Sequence, residues 1–131
     1  SNLGEFQGLT LAEIMERYPK EALQMKQEYM AFIAPNGESR VAVQARVYAA
    51  FCDITAKHHP GEVVIISHGG AIRTLLIKMF ADNQDAGQSV LSNTSVTIIE
   101  SDGETHRLIG TASTDHLGDV EADVNAKSDT L

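Results

Sequence analysis

Cysteine is all but missing from this 131-residue chain: Cys52 stands alone, so no internal disulfide can form. That usage fits a reducing compartment, and the cytoplasm is the expected location. With no basic partner near it in sequence, Cys52 reads as a small buried side chain on a helix rather than a nucleophile. No apolar run approaches the ~20 residues that a membrane span needs, and the first residues show no basic-then-apolar leader pattern. Positive charge is scarce as well. Ten Lys and Arg stand against 18 Asp and Glu, for a net charge of −8. Such a balance argues against binding nucleic acid or an anionic membrane, either of which needs a basic face. It leaves room for a small phosphorylated substrate, which requires only a few local donors. Walker A and Gly-x-Gly-x-x-Gly loops are absent, which removes the common nucleotide-binding signatures. The sequence also lacks internal repeats and any linker that would divide it in two.

What is present begins with an irregular, glycine-punctuated stretch, Leu3-Gly4-Glu5-Phe6-Gln7-Gly8. Thr10 and Glu13 have the spacing of a capping box, with Leu11, Ile14 and Met15 as an apolar stripe behind it. Pro19 ends that helix or begins the next, a short one over Lys20 to Tyr29. Ala34-Pro35-Asn36-Gly37-Glu38-Ser39 carries turn chemistry. Ser39 can cap a long helix reaching about His58, whose buried face takes Val43, Val47, Ala50, Phe51 and Ile54. Val63–Ile66 is a continuous β-branched run, the pattern of a strand buried on both faces. A helix from Ala71 to about Phe80 follows, then a polar loop over Asp82–Gln88. Strands at Ser95–Glu100 and Thr105–Ile109 flank a hairpin signal at Asp102-Gly103. The tail from Asp115 is acidic and lacks aromatic residues, so residues 115–131 are expected to be flexible and solvated.

Helix, buried strand and helix in succession argue for an α/β fold with helices packed on a largely parallel sheet. Three strands are too few for it. Val63–Ile66 has the character of a central strand and needs a neighbour on each side, or its backbone groups go unpaired. The expectation is therefore an incomplete sheet.

His68 is the leading candidate for chemistry. It follows the apolar run and precedes Gly69, Gly70 and a helix. Ligands of open α/β sheets sit at such strand ends, and a helix start offers free amides to an anion. Glycines allow close approach of backbone to ligand, and an imidazole can hydrogen-bond a phosphoryl oxygen or move a proton near neutral pH. The same histidine could merely cap a turn; the strand–His–Gly–Gly–helix setting favours a functional role. Glu38, in the turn before the long helix, could only complement a helix dipole. If its loop folds over the His68 strand end, shielding would raise its pKa and suit it to general acid–base work. His58 and His59 are adjacent and point apart, so even with Glu62 they make a poor zinc site. His106 and His116 read as solvated. His-Gly-Gly also occurs in oxyanion-hole turns of α/β-hydrolases, but the Gly-x-Ser-x-Gly elbow those enzymes need is absent.

Four segments in order resemble the histidine phosphatase superfamily, in its phosphoglycerate mutase-like branch. They are Leu3-Gly4-Glu5-Phe6-Gln7-Gly8-Leu9-Thr10; Pro35-Asn36-Gly37-Glu38-Ser39 with Val43 and Arg46; Ser67-His68-Gly69-Gly70-Ala71-Ile72-Arg73; and Asn93-Thr94-Ser95-Val96-Thr97-Ile98-Ile99. Order and spacing make the likeness specific, and it covers the chain up to the acidic tail. The resemblance implies a three-layer α/β/α domain over residues 1–114, incomplete at its N-terminus, with 115–131 as the tail. It implies phosphomonoester hydrolysis through a phosphohistidine, with mutase-type transfer as the alternative. Glu38 would be the general acid and His68 the second pocket histidine, while the amides of Gly69 and Gly70 would bind phosphate. Neither metal nor cofactor is implied. The family's nucleophile lies in an Arg-His-Gly motif, which this sequence does not contain. The expected partners are a small phosphorylated substrate and a complementing N-terminal segment or a second copy. The isolated 131-residue chain is expected to be inactive, a fragment or an interaction module.

Overall fold

A capping box opens the first helix of the computed structural model, which describes residues 1–83, 86 and 89–120, the last two by backbone alone. The Thr10 hydroxyl accepts the amide of Glu13, and the Glu13 carboxylate takes the Thr10 amide at 2.8 Å in return. Helix α1 (Leu11–Arg17) ends at Tyr18, and α2 (Pro19–Gln27) restarts with Pro19 in its first turn, where the missing amide costs nothing. The two pack around Ile14, which is fully buried with Phe6, Phe32 and Ala34. The Phe6 ring lies 5.3 Å from that of Tyr18 and 5.8 Å from that of Phe32, inside the range where aromatic pairs attract. Leu11 and Met15, expected on the buried stripe, are exposed. A seven-residue helix offers this small core one contact point, and Ile14 occupies it.

Ser39 caps the long helix α3 (Arg40–Lys57), its hydroxyl accepting the Ala42 amide at 3.1 Å. Val43 and Phe51 are buried, with Val47 and Ile54 half-buried; Ala50 lies outside this face and is exposed. Helix α4 (Gly69–Met79) begins two residues earlier than its apolar pattern indicated, because both glycines join its first turn. Its buried face holds Leu76 and Thr74. The Thr74 hydroxyl is satisfied by the Ala71 carbonyl at 2.8 Å, so its burial leaves no donor stranded.

Between α3 and α4 the expected strand is not formed. Residues 63–66 belong to no ladder, and Val64 and Ile66 are 87% and 93% exposed. A strand needs a neighbour to pair its backbone. Among the described residues the sheet contains only β1 (Val96–Ser101) and β2 (His106–Ser113), which form an antiparallel hairpin. The largely parallel sheet expected around 63–66 is thus not seen there, although the chain is α/β, as its pattern of elements indicated.

Asp102 fixes the hairpin turn. Its carboxylate accepts the amides of Glu104 and Thr105 and the Thr105 hydroxyl, which lowers its pKa to about 2. The hairpin meets α3 where the His106 ring stands edge-on to Phe51 at 5.4 Å. His106 is therefore not solvated as expected. Strand alternation turns it toward the helix, and its Nδ1 is buried without a partner. The outer face leaves Val96, Ile98 and Ile109 about half exposed. His116 is exposed, in a short 3-10 segment over Asp115–Val120, and residues 121–131 lie outside the described residues.

Candidate functional site

The loop bearing Glu38 is laced to the start of the chain. Gly4, at φ +54°, comes so close that a Cβ there would stand 2.0 Å from the Pro35 carbonyl oxygen, a position only glycine can fill. The Glu5 amide donates to that same oxygen at 2.9 Å, and the Glu38 amide donates to the Asn2 carbonyl at 3.0 Å. Glu5 receives the Asn36 side-chain amide on one carboxylate oxygen and the Tyr18 hydroxyl on the other. Asn36 takes a left-handed conformation, φ 58°, which closes the turn with Gly37 donating back to Ala34. The glycine-punctuated opening thus serves as a brace for the Glu38 loop.

The Glu38 carboxylate is held on three sides. Arg46, two turns into α3, reaches back with Nη2 at 2.9 Å from Oε1 and Nε at 3.3 Å from Oε2. The Asn2 amide donates to Oε1 at 2.6 Å. These bonds favour the charged form and hold the Glu38 pKa below the usual carboxylate range, the Arg46 fork contributing most. The direction is opposite to the one expected from shielding, because the carboxylate remains only half-buried and burial is outweighed by its donors.

His68 is the N-cap residue of α4. Its carbonyl accepts the amides of Ala71 and Ile72, while its exposed imidazole caps nothing. The amides of Gly69 and Gly70 find no acceptor among the described residues, as befits the first turn of a helix. Neither glycine is demanded by space. A Cβ on Gly69 would meet Leu91 at 3.6 Å, and one on Gly70 would meet Arg40 Nη1 at 3.8 Å, both ordinary contacts. What the missing side chains provide is an uncovered pair of donors.

Two contacts bring the Glu38 loop and His68 to one end of the molecule. Arg40 lies beside Gly70, and Gln44 donates to the Thr74 carbonyl at 3.0 Å. Each pairs residues thirty apart, one helical turn along both helices. Near their starts α3 and α4 therefore run side by side in the same direction, and their positive ends coincide. Arg40 and Arg73 add cationic charge here, both set over the ring of Tyr29. A carboxylate, an imidazole, two free amides and two guanidinium groups around paired helix starts suit a phosphoryl group and can move a proton beside it.

The sequence reading named Glu38, His68, Gly69 and Gly70 but gave no role to Arg46, Arg40 or Tyr29. Arg46 could have been found: a basic residue eight positions beyond an acidic one across a helix cap lies within reach, since helical side chains lean toward the N-terminus. Tyr29, in the turn after α2, could not, because its partners come from α3 and α4. His58 and His59 end α3 away from this site, and Cys52 is half-buried beside Tyr48. No group of three potential metal ligands occurs among the described residues.

Residues 1–114 match the sequence profile of the histidine phosphatase superfamily (branch 1). Among similar proteins, a 2,3-bisphosphoglycerate-dependent phosphoglycerate mutase of Gloeobacter violaceus is 29% identical over 108 residues, which is 80% of this chain and 47% of that protein. A broad-specificity phosphatase of Saccharomyces cerevisiae is 38% identical over 61 residues, 45% of this chain and 26% of the relative. In both cases the matched part is under half of the relative's length.

Proposed function

The chain belongs to the histidine phosphatase superfamily, and from that premise we propose that it supplies the general acid and second histidine of a phosphomonoesterase working through a phosphohistidine. The observation that carries the reading is the alignment of α3 and α4, which sets the Glu38 loop and the His68-Gly69-Gly70 turn at one end. In the first step a nucleophilic imidazole nitrogen bonds to phosphorus as the P–O bond to the alcohol breaks. Glu38 gives its proton to the departing oxygen. In the second step water attacks phosphorus, the P–N bond breaks, and Glu38 takes the proton back. His68 and the two glycine amides stabilise the equatorial oxygens throughout.

Glu38 must be protonated for the first step, yet Arg46 favours its charged form. A phosphate dianion arriving beside it adds a like charge and raises its pKa. Substrate binding therefore loads the proton, and once Glu38 has given it to the alcohol, Arg46 stabilises the carboxylate left behind.

In this proposal the nucleophile comes from a segment outside the present sequence, which has no Arg-His-Gly. That segment also pairs with residues 63–66, whose exposed valines and isoleucines it covers. Hydrolysis is preferred to mutase transfer because the loops around Glu38 are short. The mutase reading draws its support from the longer of the two matches.

The test uses the gene product with its own upstream residues. Turnover of p-nitrophenyl phosphate and an acid-labile phosphoenzyme are expected, and His68→Ala should lower kcat/KM by about 10²–10³-fold. Turnover indifferent to His68→Ala, or none in the wild type, overturns the proposal. The isolated 131 residues are expected to show none.

A further inference from the structure

Asn2 and Glu38 stand side by side. The Glu38 amide donates to the Asn2 carbonyl at 3.0 Å, and the Asn2 amide donates to Glu38 Oε1 at 2.6 Å. The chain between them, residues 3–37, is therefore an excursion with its two ends together. That excursion has a hydrophobic core of its own. Phe6, Ile14, Phe32 and Ala34 are buried in it, and the partly buried side chains around them come from the same stretch. Among the described residues, no member of α3, α4 or the hairpin belongs to this core, and neither α1 nor α2 packs extensively on α3 or α4. Such a unit can swing as one piece without exposing its apolar interior, because the burial that stabilises it is internal.

Polar groups tie it to the helices at two places. At the base, Arg46 holds Glu38. That ion pair lies at the meeting point of the two chain ends, so a swing about this point leaves it intact. The other tie is Tyr29. Its hydroxyl accepts from Arg40 Nη1 at 3.2 Å, and the Arg40 guanidinium lies 4.0 Å from the centre of its ring. Arg73, from α4, is set over the same ring at 5.1 Å. One hydrogen bond and two cation–ring contacts make a weak clasp. The closed arrangement also carries a cost: Arg40 Nε is buried with no hydrogen-bond partner, a donor that water reaches once the ring lifts away. A weak clasp set against a stranded donor leaves the open and closed arrangements close in free energy. The clasp stands beside the proposed phosphoryl site, since Arg40 Nη1 lies 3.8 Å from where a Gly70 side chain would begin.

We propose that residues 3–37 form a hinged lid, with Asn2 and Glu38 as its hinge and Tyr29 as its latch, which lifts to admit substrate to the His68-Gly69-Gly70 turn and closes over it. The gating role rests on the proposed phosphoryl site; the hinge and the latch do not. Because Glu38 is on the hinge and held by Arg46, its carboxylate stays with α3 while the lid moves.

Spin labels test this in the protein with its upstream residues and its native cysteines replaced by serine. One label is carried by Met15→Cys, 60% exposed on α1, and the other by Lys57→Cys, at the exposed end of α3. Pulsed electron–electron distance measurements should show a main separation and a minor one. Tyr29→Ala should enlarge the minor population about tenfold, and Tyr29→Phe, which keeps the ring and loses the hydroxyl, should enlarge it less. Arg40→Met breaks the same latch from the other side and leaves the lid core untouched, so a matching shift distinguishes unlatching from misfolding. Saturating inorganic phosphate should deplete the minor population in the wild type. A single separation, unchanged in both Tyr29→Ala and Arg40→Met, overturns the lid. Separations that respond to the variants but not to phosphate, in a protein that turns over p-nitrophenyl phosphate, overturn the gate. Absent turnover with the variant shifts intact instead sinks the phosphatase reading and leaves hinge and latch standing.

Discussion

Arg46 grips Glu38 across the start of α3 through two nitrogens, at 2.9 and 3.3 Å, and so joins that carboxylate to the body of the helix. The fork does two things at once: it fixes where the carboxylate points and lowers its proton affinity.

Removing the fork separates the two effects. Arg46→Met should raise the Glu38 pKa, and Arg46→Lys should raise it less, as read from the carboxyl carbon shift in an NMR titration. In the longer protein the alkaline limb of the kcat/KM profile, where the acid of the first step is lost, should move upward with it. An unmoved Glu38 titration in Arg46→Met would mean that the Asn2 amide alone sets the proton affinity.

The hairpin has its own pH dependence. Asp102 binds fewer protons in the folded state than in the unfolded one, its pKa falling from the ordinary 3.8 to about 2. A depressed carboxylate contributes stability that is fully present above its unfolded pKa and is lost as pH falls through the folded one. Amide protection in β1 and β2 should therefore drop between about pH 4 and pH 2. Asp102→Ala should be weaker at neutral pH and lack that step, in hydrogen exchange followed across the same window.

Glycine has different reasons at different places, and alanine scanning should show it. Gly4→Ala drives a Cβ into the Pro35 carbonyl from a left-handed backbone, so the Glu38 loop must shift. Thermal unfolding should shift downward with loss of activity. Gly70→Ala meets only an ordinary contact and should leave the melting temperature unchanged or raise it slightly, alanine being the better helix former. Its binding of inorganic phosphate, followed by isothermal titration, should nevertheless weaken, because the new methyl group covers the amide.

Ile14 is the completely buried side chain at the centre of the N-terminal core. Ile14→Ala should cost about 2–5 kcal/mol in denaturant unfolding. Met15→Ala, one residue along and 60% exposed, should cost well under 1 kcal/mol by the same measurement.

Ile66 offers the contrasting case. In the 131-residue chain it is 93% exposed, so Ile66→Ser should leave unfolding unaltered and improve solubility. In the protein with its upstream segment the same change should be destabilising, by about 2 kcal/mol or more, if that segment covers the run. Equal behaviour in both would remove the pairing proposed for residues 63–66.

Local chemistry settled much of this chain from sequence alone. Thr10 with Glu13, Ser39, and Asp102-Gly103 act over three or four residues, so their caps and turn follow from composition and spacing. His68-Gly69-Gly70 was legible for the same reason, as a strand-like run giving way to a helix start. Long-range partners decided the rest. Val63–Ile66 has the composition of a buried strand, but pairing belongs to two segments, and the described residues supply no second one. His106 was turned inward by the docking of the hairpin on α3, and Arg46 reversed the direction in which Glu38 titrates. Arg40, Tyr29 and Arg73 lie far apart in sequence and meet only because α4 packs alongside α3. Sequence fixes which groups a segment can offer; tertiary structure decides which of them face one another, because charge and packing act through space rather than along the chain.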